Sequence, residues 1–203
     1  MRVKTEAKRQ AILDIASEVF RELGFEAASM SEIAARLGGS KTTLYSYFKS
    51  KEEIFLEVLL ASGERHGKAA FLELEESGDI RLGLLEFGVR HLEFITRPEP
   101  LAMLRLAIAE GNRSDLGRQF YERGPAVMLA ELSTYLQTLI ERKLLRDRTD
   151  AKTMALQLKA LYEAEVVERQ LFGDAGKPLV LDLRSISERA VDVFLAAYAA
   201  AEH

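Results

Sequence analysis

Apolar positions recur along this chain at intervals of three and four, and the intervals break at glycines, prolines and capping residues rather than giving way to alternation. The clearest punctuation lies between Ser29 and Lys51. Ile33, Ala34 and Leu37 sit at helical spacing behind Ser29-x-x-Glu32, a capping box that satisfies orphan backbone donors. Gly38-Gly39 predicts the end of that helix, because glycine enters the left-handed conformation at little cost. Ser40 then caps a second short helix whose buried residues are Leu44 and Phe48, which leaves Lys41, Thr42, Thr43, Tyr45 and Tyr47 facing outward. Ser50-x-x-Glu53 is a second capping box and starts another helix at Lys51. Two short helices joined by a tight glycine turn make a helix-turn-helix, the plan that lays its second helix in the DNA major groove.

Beyond Lys51 the pattern predicts helices from Lys51 to about Glu76, from Asp79 to Arg97, from Pro98 onward, a short one after Ser114, and one from Pro125 to about Arg142. Asp150 caps a helix reaching about Phe172, Gly173–Leu181 reads as a loop, and Ser185-x-x-Glu188 caps a last helix into Tyr198. No repeat or low-complexity segment appears. The expectation is an all-α chain with a three-helix DNA-binding domain over residues 1–51 and a larger helical domain over 52–203.

Composition narrows the chemistry. Cysteine is absent, which removes disulfide scaffolds, thiol catalysis and cysteine-held metals. His66, His91 and His203 are the only histidines, none at metal-ligand spacing, and neither a nucleophile motif nor a Gly-rich phosphate loop is present. No metal or cofactor is therefore expected. No apolar run nears the ~20 residues that span a bilayer, and no apolar signal region opens the chain, so the expected location is cytoplasmic with no membrane partner. The net charge of −4 is unevenly divided. Residues 1–51 hold nine Lys or Arg against six acids, a net +3, whereas the remainder holds 19 against 26, a net −7. A basic end on an acidic body suits groove binding by that end alone.

Thr43-Leu44-Tyr45-x-Tyr47-Phe48-x-Ser50-Lys51-Glu52, with Ile33-Ala34 and Leu37-Gly38 before it, resembles the DNA-binding domain of TetR-family transcriptional regulators. Ile12-Leu13-x-x-Ala16 and Phe20-x-x-x-Gly24-Phe25 are similar to that family's first helix. Gly39 departs from the pattern, standing where an aliphatic residue usually makes a small core contact. The resemblance implies that Ser29, Ser31, Tyr45, Tyr47 and Lys51 contact phosphates, with Tyr47 also near a base. Lys41 and Thr42 are the candidates for base readout, a lysine donating to guanine and a threonine methyl touching thymine; phosphate contact is the competing role for Lys41. Arg2 and Lys4 are expected to lie in an arm near the minor groove that is disordered in the absence of DNA. The later stretch Leu104-Arg105-Leu106-x-Ile108-Ala109-Glu110 and Phe120-Tyr121-Glu122-x-Gly124-Pro125 resembles the AefR-like, AcrR-related branch. That implies a homodimer built from the last two long helices. Leu158, Leu161, Ala164, Val166, Ile186, Ala190, Val193, Phe194 and Ala197 offer the surfaces, of which about half should face the chain's own core.

Three polar residues interrupt apolar stripes in the body. His91 falls within Ile80, Leu84, Phe87, Phe94 and Ile95; Glu165 continues Met154, Leu158 and Leu161; Arg105 breaks Leu101–Ala109. A buried charge needs a partner, so Glu165 is expected to pair with Arg105 or Arg169 or to meet a ligand. His66, His91, Phe94, Arg105, Tyr162 and Glu165 are the candidate lining of an effector site, each with a structural reading beside it. Gly63 and Gly67, one turn apart in a helix, mark either close packing or a compliant joint. The expected function is a dimeric regulator, a repressor, that binds an inverted-repeat operator in double-stranded DNA and is released by a small, largely apolar effector. A helical enzyme and an interaction protein without DNA affinity are the alternatives. The first lacks a motif, and the second does not need the outward Lys/Thr/Tyr set.

Overall fold

Helix boundaries fall at the capping residues. The computed structural model describes residues 5–111, 113–147, 149–173 and 181–200. Among them are α1 (Glu6–Ala27), α2 (Met30–Arg36), α3 (Lys41–Tyr47), α4 (Lys51–Glu76), α5 (Ile80–Ile95) and α6 (Pro98–Glu110). There follow α7 (Leu116–Arg123), α8 (Pro125–Glu141), α9 (Ala151–Glu163), α10 (Val167–Phe172) and α11 (Leu183–Tyr198). The one strand-like feature described is an isolated antiparallel bridge between Leu145 and Ala199. The all-α expectation is met. The Arg2/Lys4 arm, His203 and most of the Gly173–Leu181 loop lie outside the described residues.

The chain packs as two compact units, Met1–Gly63 with Pro98–Tyr121 and Glu64–Arg97 with Glu122–His203. In the first, α1 buries Ile12, Leu13, Ala16, Val19 and Phe20. Gly24 (φ 73°) kinks α1 and turns Phe25 onto Phe55, ring centroids 4.6 Å apart, with Phe20 at 4.9 Å from Phe55. Leu44 and Phe48, both almost wholly buried, fasten α3 to this core. Burying each contributes about 1.5–3 kcal/mol.

In the second unit α5, α9 and α11 pack on one another and α8 packs on α9. The helices approach closely at Gly88, where a Cβ would lie 2.2 Å from Ser187 Oγ and 2.3 Å from the Tyr162 ring. Both hydroxyls use that proximity: Tyr162 donates to the Leu84 carbonyl (2.7 Å) and Ser187 to the Leu85 carbonyl (2.8 Å). Burial pushes the Tyr162 phenol well above its ordinary range, so it stays a donor.

Two local expectations are corrected. The helix capped by Asp150 stops at Glu163, and α10 begins after a turn in which Val166 is wholly buried. The core stripe is Ala151, Met154, Ala155, Leu158, Tyr162 and Val166, so the phase passes through Tyr162 rather than Leu161 and delivers Glu165 to solvent. The last helix starts earlier than Ser185-x-x-Glu188 implies. Asp182 is its cap, accepting from the Ser185 N–H at 3.1 Å and the Ser185 hydroxyl at 2.7 Å.

Candidate nucleic-acid interface

The α2–α3 pair is assembled by local hydrogen bonds. Ser29 Oγ accepts from the Glu32 N–H at 3.2 Å, and Arg36 holds the Glu32 carboxylate at 2.8 Å and that of Glu22 at 2.6 Å. The α2 C-terminus closes in a Schellman motif, the Gly39 N–H reaching Ala34 O (3.2 Å) and the Gly38 N–H reaching Ala35 O (3.1 Å). Gly38 takes φ 65° there, a conformation that carries a steric cost for any residue with a Cβ. Ser40 Oγ then accepts from the Thr43 N–H at 3.1 Å and starts α3. At α4 the Ser50 hydroxyl accepts from the Glu53 N–H (3.2 Å), and the Glu53 carboxylate reaches back to the Lys49 N–H (2.6 Å).

With Leu44 and Phe48 in the core, α3 leaves Lys41, Thr42 and Tyr45 exposed. Among the described residues Lys41 makes no ion pair, so its charge is available to an anion. Thr43 and Tyr47, expected outside, are half-buried. The Thr43 hydroxyl lies 3.0 Å from Ser40 Oγ as part of the cap, and the Tyr47 hydroxyl accepts from the Thr5 N–H at 3.1 Å, tying the start of α1 to the end of α3. Ser29 and Ser31 are exposed at the start of α2. Lys51 is half-buried, and its ammonium donates to the Phe25 carbonyl at 2.7 Å and lies 4.1 Å from the centre of the Phe25 ring. Ser46 and Lys49 are also exposed beside Tyr45 and were not singled out from the sequence. Lys49 follows the end of α3, whose cap Phe48 is extended (φ −133°), so helical spacing from Tyr45 gives it no signal.

The effector-site candidates separate. His66 Nε2 lies 2.9 Å from the Arg90 carbonyl, and its ring stacks on Phe94 at 5.2 Å. His91 sits 6.3 Å from Tyr162, ring to ring, and bonds Glu163 Oε1 at 2.8 Å. Lys159 takes the other Glu163 oxygen at 2.5 Å. Glu163, which the sequence reading passed over, is thus a partly buried carboxylate of this unit. Burial pushes its carboxyl upward, but the His91 hydrogen bond and the charges of His91 and Lys159 outweigh that and hold it below the ordinary glutamate value. Glu165 is exposed and forms a two-pronged pair with Arg189, at 2.9 and 2.6 Å, in place of the expected pairing with Arg105 or Arg169. Arg105 is exposed on α6 and belongs to the first unit. An open groove of about 580 Å³ between α8 and α9, lined by Ser133, Thr134, Gln137, Thr138, Glu141, Asp150, Ala151 and Lys152, contains none of the six. Among the described residues no group of three or more metal-capable side chains gathers, and no helix is long and apolar enough to cross a membrane.

A capped helix-turn-helix ahead of a separate helical body defines the architecture of a DNA-binding regulator. Residues 12–58 match the tetR family of bacterial regulatory proteins, and residues 83–200 match the AefR-like transcriptional repressor, C-terminal domain. The second match alone covers more than half the chain, which therefore belongs to the TetR family of transcriptional regulators. A Mesorhizobium loti MAFF303099 protein described as a TetR-family transcriptional regulator has the same fold at TM-score 0.81 and 29% identity, covering 97% of this chain and 100% of that one. The HTH-type transcriptional regulator AcrR of Shigella flexneri is 26% identical over 215 residues, 97% of this chain and 93% of that protein. The HTH-type transcriptional activator FasR of Mycolicibacterium smegmatis is 48% identical over 58 residues, 29% of this chain. That match takes in only 26% of FasR's length.

Proposed function

We propose that this regulator is a cytoplasmic homodimer that binds an inverted-repeat operator through α3, acts as a repressor, and is released by a small, largely apolar effector. Residues 1–51 read DNA in this account, and residues 52–203 sense and dimerise; no catalytic step is assigned. The observation that carries the reading is the exposed, unneutralised Lys41 beside exposed Thr42 and Tyr45 on a helix locked from behind by Leu44 and Phe48. Repression draws support from the description of the AefR-like family, although FasR is named an activator. Dimerisation draws support from apolar side chains left outside on α9 and α11. Of the expected surfaces, Leu158, Val166, Ile186, Ala190 and Phe194 are consumed by the core, Leu161 is half-buried, and Ala164, Val193 and Ala197 are exposed. Exposed Leu156, Ala160 and Ala196 add to that set.

The effector role rests on the resemblance of residues 83–200 to the AefR-like C-terminal domain, since His66, His91 and Glu163 are partnered within the chain. Release requires different affinities for two arrangements of the protein, and α4, whose Gly63 ends the first unit, runs through both. An electrophoretic shift titration with duplexes enriched by the protein from a random library tests the reading. Binding that falls steeply with salt and is lost to competition only by the enriched sequence is expected; equal competition by random duplex would remove the claim.

A further inference from the structure

The end of α3 is fastened to the start of α1 at two points. The Thr5 N–H donates to the Tyr47 hydroxyl at 3.1 Å. One turn further along α1, the Arg9 guanidinium lies over the Phe48 ring, 5.4 Å from its centre. Phe48 is the cap of α3 and is almost wholly buried, so Arg9 covers the residue that anchors α3 in the core. The same guanidinium donates to the Glu57 carboxylate of α4 at 2.5 Å. The Glu57 side chain is only 16% exposed and that of Arg9 35%, so water and salt screen this pair less than a surface ion pair. Glu6, 3.7 Å from Arg9 but 80% exposed, adds little. Arg9 thus joins α1, the cap of α3 and α4, all within the first unit. The planar guanidinium suits this place, because it can lie on a ring and bond a carboxylate at once, which a lysine ammonium cannot do as well.

We propose that Arg9 is a positioning residue for DNA reading: paired with Glu57 across the Phe48 ring, it fixes the end of α3 between α1 and α4 and so sets how the α3 face is presented, instead of neutralising a phosphate. This rests on the reading that α3 engages DNA. The two roles predict opposite signs at Glu57. Were Arg9 a charge acting on DNA, neutralising Glu57 would release it and remove a repelling acid, and every duplex would bind more tightly. With the pair holding α3, neutralising Glu57 loosens the cover on Phe48 and penalises only the sequence that α3 reads.

Full-length variants are titrated with a duplex enriched by the wild type from a random library and with a random duplex, below the melting temperature of each. Glu57→Gln is expected to lose roughly ten-fold affinity for the enriched duplex, the scale of one charge-assisted bond, with binding to random duplex unchanged. Arg9→Ala should lose as much, with its salt slope unaltered. The double variant, which keeps the wild-type net charge, should lose no more than either single one, as two residues acting through one pair do. Arg9→Lys retains the charge without the planar face and should recover part of the loss. Tighter binding of Glu57→Gln to both duplexes overturns the proposal. So does a slope of log affinity against log salt lowered by about 0.9 in Arg9→Ala, with equal loss on both duplexes. Lowered melting temperatures with full affinity for the enriched duplex overturn it too, since the pair would then serve stability alone. If Arg9→Ala unfolds, Glu57→Gln carries the test, because it keeps the cation and a side chain of the same shape. Failure of the wild type to enrich any duplex would instead remove the DNA-binding reading itself, a separate outcome.

Discussion

At the scale of single residues, neighbouring glycines carry opposite requirements. Gly38 sits at φ 65°, so Gly38→Ala is expected to cost about 1–2 kcal/mol in a denaturant titration. Gly39 has ordinary backbone geometry, and a Cβ there would meet only Leu37 at 3.8 Å, a normal contact. Gly39→Ala should therefore stabilise by about 0.4–1 kcal/mol, chiefly by restricting the unfolded chain. Loss of stability in that variant would show that the turn needs the glycine. Glu163 has a pH signature. Its folded carboxyl lies below the ordinary glutamate value, so its contribution is complete above that value and is lost as pH falls through the lower, folded one. Glu163→Gln should flatten the acid limb of stability measured by urea titration at successive pH values. Glu165→Gln should leave thermal stability nearly unchanged, because the Arg189 pair is exposed to water and screened.

At the scale of elements, Gly88 is a tight point of the α5–α9–α11 packing. Gly88→Ala would drive a methyl into Ser187 and Tyr162, and overpacking of this kind costs typically about 1–3 kcal/mol, read as a lowered melting temperature. Gly67 is the reverse: a Cβ built there meets nothing within 4 Å, so close packing within this chain does not explain it. Gly67→Ala should raise helix stability by about 1 kcal/mol. In the dimeric account, Gly63→Ala with Gly67→Ala also stiffens α4 and weakens effector-driven release while leaving basal DNA affinity within a few-fold. The helices themselves were legible because caps and turns act locally: Ser29, Ser40, Ser50 and Asp150 each bond the backbone three residues on. The phase of α9 was not. Leu161 and Tyr162 are both acceptable successors to Leu158 in a helical stripe, and the choice rests on the long-range bond from Tyr162 to Leu84. Choosing Leu161 promoted Glu165 and hid Glu163, whose partner His91 lies 72 residues away. Lys51 was similarly opaque, since the Phe25 carbonyl it satisfies has no sequence signature.

For the whole molecule, the basic excess of residues 1–51 against an acidic remainder and the exposed face of α3 converge on DNA bound by one end. A two-fold dimer presents that face twice, which demands a repeated half-site. Val193→Glu, at an exposed apolar position on α11, should shift the protein towards monomer in sedimentation and weaken operator binding together; an unaltered dimer would move the interface elsewhere. The account is tested most directly by sequencing the duplexes that the full-length protein enriches from a random library. An inverted repeat is predicted, with Thr42→Ala enriching the same repeat but relaxed at one or two base pairs in each half. No enrichment, or enrichment of a single unrepeated half-site left unchanged by Thr42→Ala, would contradict it.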